Sequence, residues 1–338
     1  MWRKMDIKKV LFFKPGAIGD LLHTLPALQA LTEKYPAAHI TVVVSPGLES
    51  LLQGTSVADR VLVFDKSHFK KRLKAFIDFG LRLRDERYDL FVDMQPSVRS
   101  MVLRWMSGAG TVLIYRKQKK NQAGDRRLHA AENFKATLRP LGINGPIEDI
   151  DLPIAPEALL AVDRYLADHG IGSSRPLIAL NCSVGAARPA RNWLPERFAE
   201  LADRILRELN ATVVFVGGPE DRDLVKRVMS GMRGKAFSAA GELSIAHSAA
   251  LLSRCKCLVS SDTGPLHLAT AVGTTVVGLY GSTDPHRTGP IGKGHRVFIK
   301  DLPCVPCEEK HCPPGTRACM AAITVDEVFE AVRKATEE

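Results

Sequence analysis

The feature of this sequence that most constrains its fold is an alternation of short apolar runs and helical stretches, which occurs twice along the chain. The runs of the first half are rich in β-branched residues and read VLFF, ITVVVS, VLVFD, DLFVDM and TVLIYR. After about residue 155 the alternation restarts with PLIALNC, TVVFVGG, CLVSSD and TVVGLYG. Apolar strands joined by helices are typical of parallel sheets that are buried on both faces. We therefore predict an α/β protein with two Rossmann-like domains of parallel sheet that face each other across a cleft.

The boundary between the two halves is predicted from a segment rich in glycine, proline and acidic residues, LGINGPIEDIDLPIAPE. Such a composition is typical of a linker. We place the first domain at residues 1–152, the second at 153–324 and a final helix at 325–338.

Composition narrows the class of protein. No apolar run approaches the roughly 18 residues that a membrane span needs, and the first apolar run is too short for a signal peptide. We therefore expect a cytoplasmic protein. The formal net charge of +10 favours an anionic partner, and the odd number of cysteines, seven, argues against a disulfide framework.

The loop after the first apolar run reads KPGAIGDLLHTLPAL. Gly16 and Gly19 allow a tight turn and close approach of a ligand. Asp20 follows at the start of a helix, where unpaired N–H groups favour an ionised carboxylate. His23 lies three residues further on the same predicted face, and Pro26 requires the helix to kink or restart. A helix cap and a functional carboxylate explain this pattern equally well.

The most informative loop of the second half lies within CLVSSDTGPLHLATAVG. Asp262, Thr263 and Gly264 form a turn between a strand and a helix, and Pro265 suits the first turn of that helix. The turn presents backbone amides and a hydroxyl at a helix N-terminus, which is a favourable site for a phosphate or diphosphate. His267 faces the same space. The alternative is a well-capped helix with a histidine on its core side.

Three further loops follow strands of the same predicted sheet. NCSVGAARPARNWLPERF contains Arg188 and Arg191, VGGPEDRD contains Glu220, and LYGSTDPHRTGP contains Asp284. Arginine side chains suit a phosphate, although an exposed basic loop would look the same. Because ligands of parallel sheets bind beyond the C-terminal ends of the strands, four such loops together predict a site for a nucleotide diphosphate.

These segments resemble a known family. KPGAIGDLLHTLPAL, RNWLPERF, GGPED and SSDTGPLHLATAVGTTVVGLYGSTDP, with the cysteine-bearing tail, are similar to glycosyltransferase family 9, the ADP-heptose:lipopolysaccharide heptosyltransferases. The resemblance spans nearly the whole chain. It implies GT-B architecture and inverting transfer of heptose from ADP-heptose to the inner core of lipopolysaccharide, with no cofactor required. It also implies that the final helix packs back on the first domain.

The resemblance assigns roles to individual residues. It implies that Asp20 is the catalytic base, that Glu220 lies near the donor nucleotide, and that Arg191 occupies a position where many members carry lysine. Inverting transfer needs such a base and stabilisation of the departing ADP, and closing the cleft would assemble both. The predicted substrate-binding residues are Gly19, His23, Arg188, Arg191, Glu220, Asp262, Thr263, Gly264, His267 and Asp284.

Metal binding has one candidate segment, the tail PCVPCEEKHCPPGTRACM with its cysteines Cys304, Cys307, Cys312 and Cys319. Cys-x-x-Cys is a common half-site for structural zinc; reduced cysteines and a disulfide are the alternatives. For a catalytic metal, an Asp-x-Asp pair at a strand end would be expected. The two such pairs, Asp149 with Asp151 and Asp221 with Asp223, are interpreted as solvated acids, so no catalytic metal is predicted.

Two basic stretches of the first domain remain. KSHFKKRLKAFIDFGLRLRDER is typical of an amphipathic helix or helix pair, and YRKQKKNQAGDRR of a loop. They are either solvated faces or contacts to an anionic glycolipid acceptor, such as Kdo-lipid A in the lipopolysaccharide core, by peripheral contact with the cytoplasmic face of the inner membrane.

Alternative functions are left open by the sequence. An NAD-dependent oxidoreductase would need G-x-G-x-x-G after the first strand and an acid after the second, and both are missing. No nucleic-acid partner is predicted, since helix-turn-helix and aromatic-basic signatures are absent from the sequence. Transfer of another nucleotide sugar, transfer to another glycan acceptor, and non-catalytic binding of a nucleotide sugar remain as alternatives.

Overall fold

The computed structural model describes residues 6–118, 127–147 and 149–337. The chain divides into two compact units, Met1–Ala155 (unit 1) and Pro156–Glu338 (unit 2), with a boundary close to the predicted one. Most of the predicted basic loop YRKQKKNQAGDRR lies outside the described residues. No helix among the described ranges has the length and apolar character needed to cross a bilayer.

Unit 1 is built on a five-stranded sheet in the order β3-β2-β1-β4-β5. All of its pairings are parallel, as predicted. The strand order reverses between β1 and β4, so the loops that follow these two strands diverge at the C-terminal edge of the sheet and leave room for a ligand. The strands are β1 Lys9–Phe13, β2 His39–Val44, β3 Arg60–Val63, β4 Leu90–Asp93 and β5 Thr111–Ile114.

The helices of unit 1 cover both faces of this sheet. One face carries a core of aromatic and aliphatic side chains, in which Phe13, Phe64 and Phe91 pack against Leu83 and Leu103 of two helices. The predicted amphipathic pair is confirmed as two consecutive helices, α3 and α4. The helices are α1 Ile18–Leu22, α2 Leu25–Lys34, α3 Lys66–Lys71, α4 Leu73–Asp85, α5 Val98–Ser107 and α6 Ala130–Lys135, with 3₁₀ turns at Glu49–Leu51 and Ala136–Leu141.

Unit 2 is built on a six-stranded parallel sheet in the order β11-β10-β9-β6-β7-β8. Its order reverses between β6 and β9, which places the expected ligand position beyond these two strands. The short edge strands β8 and β11 were not predicted. The strands are β6 Leu177–Asn181, β7 Thr212–Phe215, β8 Phe237–Ser238, β9 Cys257–Ser261, β10 Thr275–Leu279 and β11 Arg296–Phe298.

The helices of unit 2 connect these strands and complete its core. They are α7 Pro156–Asp168, α8 Pro195–Glu208, α9 Arg222–Ser230, α10 Ile245–Ser253, α11 Gly264–Ala271, α12 Pro285–Thr288, α13 Ala318–Ala321 and α14 Val325–Glu337, with 3₁₀ turns at Pro189–Arg191 and Pro219–Asp221.

The last helix, α14, packs within unit 2 rather than on the first domain, so that prediction is corrected. Its buried residues Val328, Phe329 and Val332 belong to the same core cluster as Trp193 and Phe198, and it packs against α8, β9 and β10. The indole N–H of Trp193 also donates to the carbonyl of Ile323, just before the helix, at 3.0 Å. An apolar stripe of this width has to be covered, and unit 2 covers it.

Candidate active site

The loop after β1 forms a short helix and then a second one. α1 ends at Leu22, and α2 begins at Leu25 with Pro26 in its first turn. The proline therefore lies where a helix does not need its N–H, which confirms that the helix restarts there. Asp20 is the third residue of α1 and its side chain is 56% exposed.

A buried lysine holds the Asp20 carboxylate. Lys14 follows β1, and its ammonium nitrogen lies 3.3 Å from Asp20 Oδ2. The same ammonium donates to Gln95 Oε1 at 3.2 Å and to the carbonyl of Gly16. Burial lowers the pKa of Lys14, and the Asp20 carboxylate opposes that shift. Asp20 Oδ1 accepts no hydrogen bond within the described residues, so one carboxylate oxygen is positioned while the other is available.

Gln95 links this loop to the loop after β4. Its Oε1 accepts from Gly16 N at 3.0 Å, and its own N–H donates to Asp93 Oδ1 at 3.1 Å. Asp93 is fully buried and pairs with Arg104 Nη1 at 2.7 Å. Burial raises the pKa of Asp93, against the opposing hydrogen bonds from Ser100 and Arg104. The two loops at the reversal of the strand order are thus tied together.

Sequence reasoning missed Lys14, Asp93 and Gln95. A signal was present, because the residues directly follow or end the two central apolar runs, VLFF and DLFVDM. Polar residues at the C-terminal ends of adjacent central strands meet at one edge of a parallel sheet.

His23 lies in the interior of unit 1. It terminates α1 and is buried, and its ring packs edge-on against that of His129, with ring centroids 5.1 Å apart. His129 precedes α6, where it forms a capping box with Glu132. The His23 ring therefore supports the loop from within and is not presented to solvent as Asp20 is.

Asp262 is the centre of a buried network in unit 2. It follows β9, and its carboxylate lies 3.0 Å from Arg191 Nη1 through Oδ2 and 3.2 Å from His267 Nε2 through Oδ1. Thr288 Oγ1 donates to Oδ2 at 3.2 Å. Burial would raise the pKa of Asp262, but the hydrogen bond and charge of His267 and the charge of Arg191 outweigh it and lower the pKa. Because both oxygens have partners, this carboxylate can position Arg191 and His267.

The turn before α11 leaves the start of that helix open. Thr263 occupies the N-cap position, but its side chain makes no capping hydrogen bond. Its Oγ1 instead accepts from Asn181 Nδ2 at 3.0 Å and bonds the carbonyl of Ser261 at 3.2 Å. Asn181 ends β6, so this contact joins the two strands at which the order reverses. The side chain of Thr263 therefore leaves the first backbone N–H groups of α11 uncapped, and the anion site predicted at this turn stays a prediction.

Two arginines add positive charge to this edge. Arg191 is held through a second hydrogen bond from Nη1 to the main-chain carbonyl of Asp262, at 2.8 Å. Burial lowers the pKa of Arg191, and Asp262 opposes this shift. Arg188, in the same loop, is exposed. The loop therefore presents one positioned and one exposed guanidinium.

Acidic residues of the other two loops differ in exposure. Glu220 is exposed, and its carboxylate folds over Gly218, where a Cβ would lie 2.6 Å from Glu220 Oε2. Asp284 is buried and caps α12 by accepting from His286 N at 3.0 Å. Asp221, expected to be solvated, is buried and accepts from Gly218 N at 2.7 Å, because it completes the turn that shapes this loop.

The cysteine-bearing tail supports the loops of unit 2. Lys310 accepts through its carbonyl from Ala190 N at 3.1 Å, and Glu308 N donates to the carbonyl of Ser282 at 2.6 Å. These contacts reach the arginine loop and the loop after β10. The four tail cysteines Cys304, Cys307, Cys312 and Cys319 are free thiols. Within the part of the chain that the structure describes, no three His, Cys, Asp or Glu side chains are grouped so as to hold a metal ion, so the zinc alternative gains no support.

Comparisons with a family model and with individual relatives agree on one family. The model of glycosyltransferase family 9 (heptosyltransferase) matches residues 77–317. The lipopolysaccharide core heptosyltransferase OpsX of Haemophilus influenzae is 27% identical over 304 residues, which cover 84% of this chain and 82% of that protein. Lipopolysaccharide heptosyltransferase 1 of Pseudomonas aeruginosa is 26% identical over 324 residues, which cover 90% of this chain and 87% of that protein.

Solved structures show the fold. A family 9 glycosyltransferase from Veillonella parvula superposes with a TM-score of 0.87 at 24% identity and covers 99% of both chains. The ADP-heptose lipopolysaccharide heptosyltransferase II of Escherichia coli superposes with a TM-score of 0.80 at 20% identity, over 97% of this chain and 98% of that one. The fold is GT-B, as predicted.

Proposed function

Because the chain belongs to glycosyltransferase family 9 and is a glycosyltransferase, we propose that it transfers heptose from ADP-heptose to the inner core of lipopolysaccharide, with inversion. The observation that carries this proposal is that curated relatives spanning 84% and 90% of the chain are named lipopolysaccharide heptosyltransferases. The positioned carboxylate of unit 1 and the cationic, amide-rich loops of unit 2 support it, because they are the two kinds of group that the reaction needs.

Asp20 acts as the general base in this proposal. The acceptor hydroxyl oxygen attacks the anomeric carbon of the donor, the bond from that carbon to the diphosphate oxygen breaks, and the hydroxyl proton passes to Asp20 Oδ1. ADP leaves with the bonding electrons. A carboxylate is a modest base, so it suits a transition state in which cleavage of the donor bond runs ahead of proton transfer. Lys14 and Gln95 hold the other carboxylate oxygen and the turn in place.

Unit 2 stabilises the leaving group. The donor diphosphate lies against the uncapped start of α11 at Thr263 and Gly264, where backbone N–H groups point at the anion. Arg188 and Arg191 neutralise the charge that develops on ADP as the bond breaks. Asp262 and His267 keep Arg191 and the turn in position, and Glu220 lies near the donor nucleotide. No cofactor is required for this chemistry.

The acceptor is an anionic glycolipid, such as Kdo-lipid A, reached by peripheral contact with the cytoplasmic face of the inner membrane. The net charge of +10 supports an anionic acceptor. Gly19, next to Asp20, leaves the acceptor hydroxyl room to approach, and Asp284 shapes the donor loop by capping α12.

A donor panel tests the proposal. Thermal unfolding is measured with ADP-heptose, other ADP-sugars and UDP-sugars, and turnover is then measured with Kdo-lipid A. The expected result is stabilisation by ADP-heptose and transfer to that acceptor. Selective stabilisation by a UDP-sugar would instead indicate another donor, and donor binding without turnover on any inner-core acceptor would favour a non-catalytic binding protein.

A further inference from the structure

Helix α4 of unit 1 carries an apolar stripe on the side that faces away from the core. The helix buries Phe76, Gly80 and Leu83. A second row, at positions i, i+4 and i+8, is exposed and consists of Leu73, Ile77 and Leu81. The helix is therefore apolar on its buried face and again along part of its solvent face, which burial in the unit does not explain.

Helix α5 shows the same arrangement. It buries Ser100, Leu103 and Ser107, and it exposes Val98, Met101 and Trp105 at positions i, i+3 and i+7. Trp105 is 84% exposed. An indole is among the largest apolar side chains, and it also has an N–H that suits a half-polar environment.

The two stripes lie on the same side of unit 1. Phe76 and Leu83 of α4 and Leu103 of α5 belong to one core cluster, so both helices cover the same face of the sheet. They also touch each other, since a Cβ at Gly80 would clash with the side chain of Met106. We call the exposed apolar residues of this pair, Leu73, Ile77, Leu81, Val98, Met101 and Trp105, the α4–α5 face.

Positive charge is concentrated beside this face, on α3 and α4. Residues 66–84, which span α3 and most of α4, contain seven lysines and arginines against one acid, Asp78. Among the described residues none of these seven cations forms an ion pair. Long cationic side chains can lie along an apolar surface while their charged ends reach lipid headgroups. An apolar stripe with an interfacial tryptophan and flanking cations is typical of helices that lie in the plane of a membrane surface.

We infer that the α4–α5 face docks unit 1 on an anionic lipid bilayer. The apolar side chains enter the boundary between headgroups and acyl chains, and the cations of α3 and α4 bind lipid phosphates. The cores of protein–protein interfaces are depleted of lysine, so the charge favours a bilayer over a protein partner. The inference deepens the proposed function and rests on it for its purpose, since an acceptor anchored in a membrane is what such a surface would serve.

Sedimentation with vesicles tests this inference without a donor or an acceptor. The full chain is mixed with vesicles of phosphatidylcholine alone or with added phosphatidylglycerol. We expect strong binding only with the anionic lipid, weakened by salt. Trp105→Ala should reduce the partition coefficient roughly tenfold, as removal of a buried large apolar side chain predicts. The triple variant K70Q/K71Q/K74Q should reduce it by about fivefold per charge.

Matched variants on unit 2 provide controls. Leu160 is 59% exposed on α7, and Lys226 is exposed on α9; Leu160→Ser and Lys226→Gln should bind vesicles like the unsubstituted chain. ADP-heptose affinity should be unchanged in every variant. Vesicle binding that fails altogether, or that survives Trp105→Ala and the triple variant, overturns the inference. A Trp105-dependent change in oligomeric state without vesicles also overturns it and assigns the face to a second copy of the chain.

Discussion

Replacing Asp262 with Asn should destabilise unit 2 by about 3 kcal/mol. The carboxylate is almost completely buried, and it accepts from Arg191, His267 and Thr288. Asn keeps the shape but removes the charge, and its single amide oxygen can accept from the Arg191 side or the His267 side but not from both. Removing one partner of a buried ion pair lowers the free energy of unfolding by about 3–5 kcal/mol, because the other charge stays buried without its partner. The lower value applies because the Arg191 side chain is still 19% exposed.

The loss should depend on pH in a defined direction. The partners of Asp262 lower its pKa in the folded protein. A carboxyl whose folded pKa is depressed contributes stability that is present above the unfolded pKa, about 3.9, and that is lost as the pH falls through the folded pKa. The difference in free energy of unfolding between the unsubstituted chain and Asp262→Asn should therefore have its full value at neutral pH and should shrink below about pH 4.

The assay is urea unfolding followed by the fluorescence of Trp193, which is fully buried in unit 2. The background variant W2F/W105F leaves this tryptophan as the sole indole of the three in the chain. Asp163→Asn is the control, because Asp163 pairs with Arg254 at 2.8 Å on the surface, where such pairs contribute about 1 kcal/mol or less. A loss for Asp262→Asn no larger than that of the control would refute the reasoning.

Two other predictions concern stability. In Gly241→Ala the new Cβ would lie 2.6 Å from Pro219 Cα at a φ of +69°. Unfolding by urea should show a loss of about 1–3 kcal/mol from this contact, added to the strain of the positive φ, about 1–2 kcal/mol. Gly170→Ala, with a φ of +66° and open space, should lose only the strain, about 1–2 kcal/mol, and equal losses would exclude the clash. The hydrogen bond from Lys300 lowers the pKa of Glu327 to about 2, so its contribution is present above the unfolded pKa and lost as the pH falls from about 4.5 toward 2. Glu327→Gln should flatten the acid limb of a Tm–pH profile, and an unchanged limb would contradict this.

All five strands of unit 1 and the central strands of unit 2 could be predicted from the sequence, while the two edge strands of unit 2 could not. Runs such as VLFF and LIAL are apolar throughout because helices cover both faces of the sheet there. The edge strands Phe237–Ser238 and Arg296–Phe298 are two and three residues long and lack that pattern. Period and composition carry no signal for elements this short.

The sequence predicts which loops the candidate site lies in, but it does not predict what each side chain of those loops contacts. The strand-end rule selected the loops that hold Asp20 and Asp262, and the structure places these residues after β1 and β9. It could not show that Asp262 has both oxygens occupied, since Arg191 is 71 residues away in sequence. The predicted common face of Asp20 and His23 assumed a continuous helix, whereas α1 ends at Leu22 and His23 turns inward.

The last helix, α14, shows a different limit of prediction from the sequence. Its apolar stripe was evident, but a stripe specifies only that a face is buried and not which unit buries it. Core contacts with Trp193 and Phe198 decide the question, and those residues are more than a hundred positions away in the chain.

Steady-state turnover and donor affinity of Asp20→Asn test the central claim, that this carboxylate accepts the proton of the acceptor. Asn preserves the side-chain shape and can still accept from Lys14 through its amide oxygen. The account predicts a fall in kcat of roughly 10²–10⁴-fold with the Kd for ADP-heptose unchanged. Turnover near that of the unsubstituted enzyme, or loss of donor affinity in parallel with turnover, would contradict it.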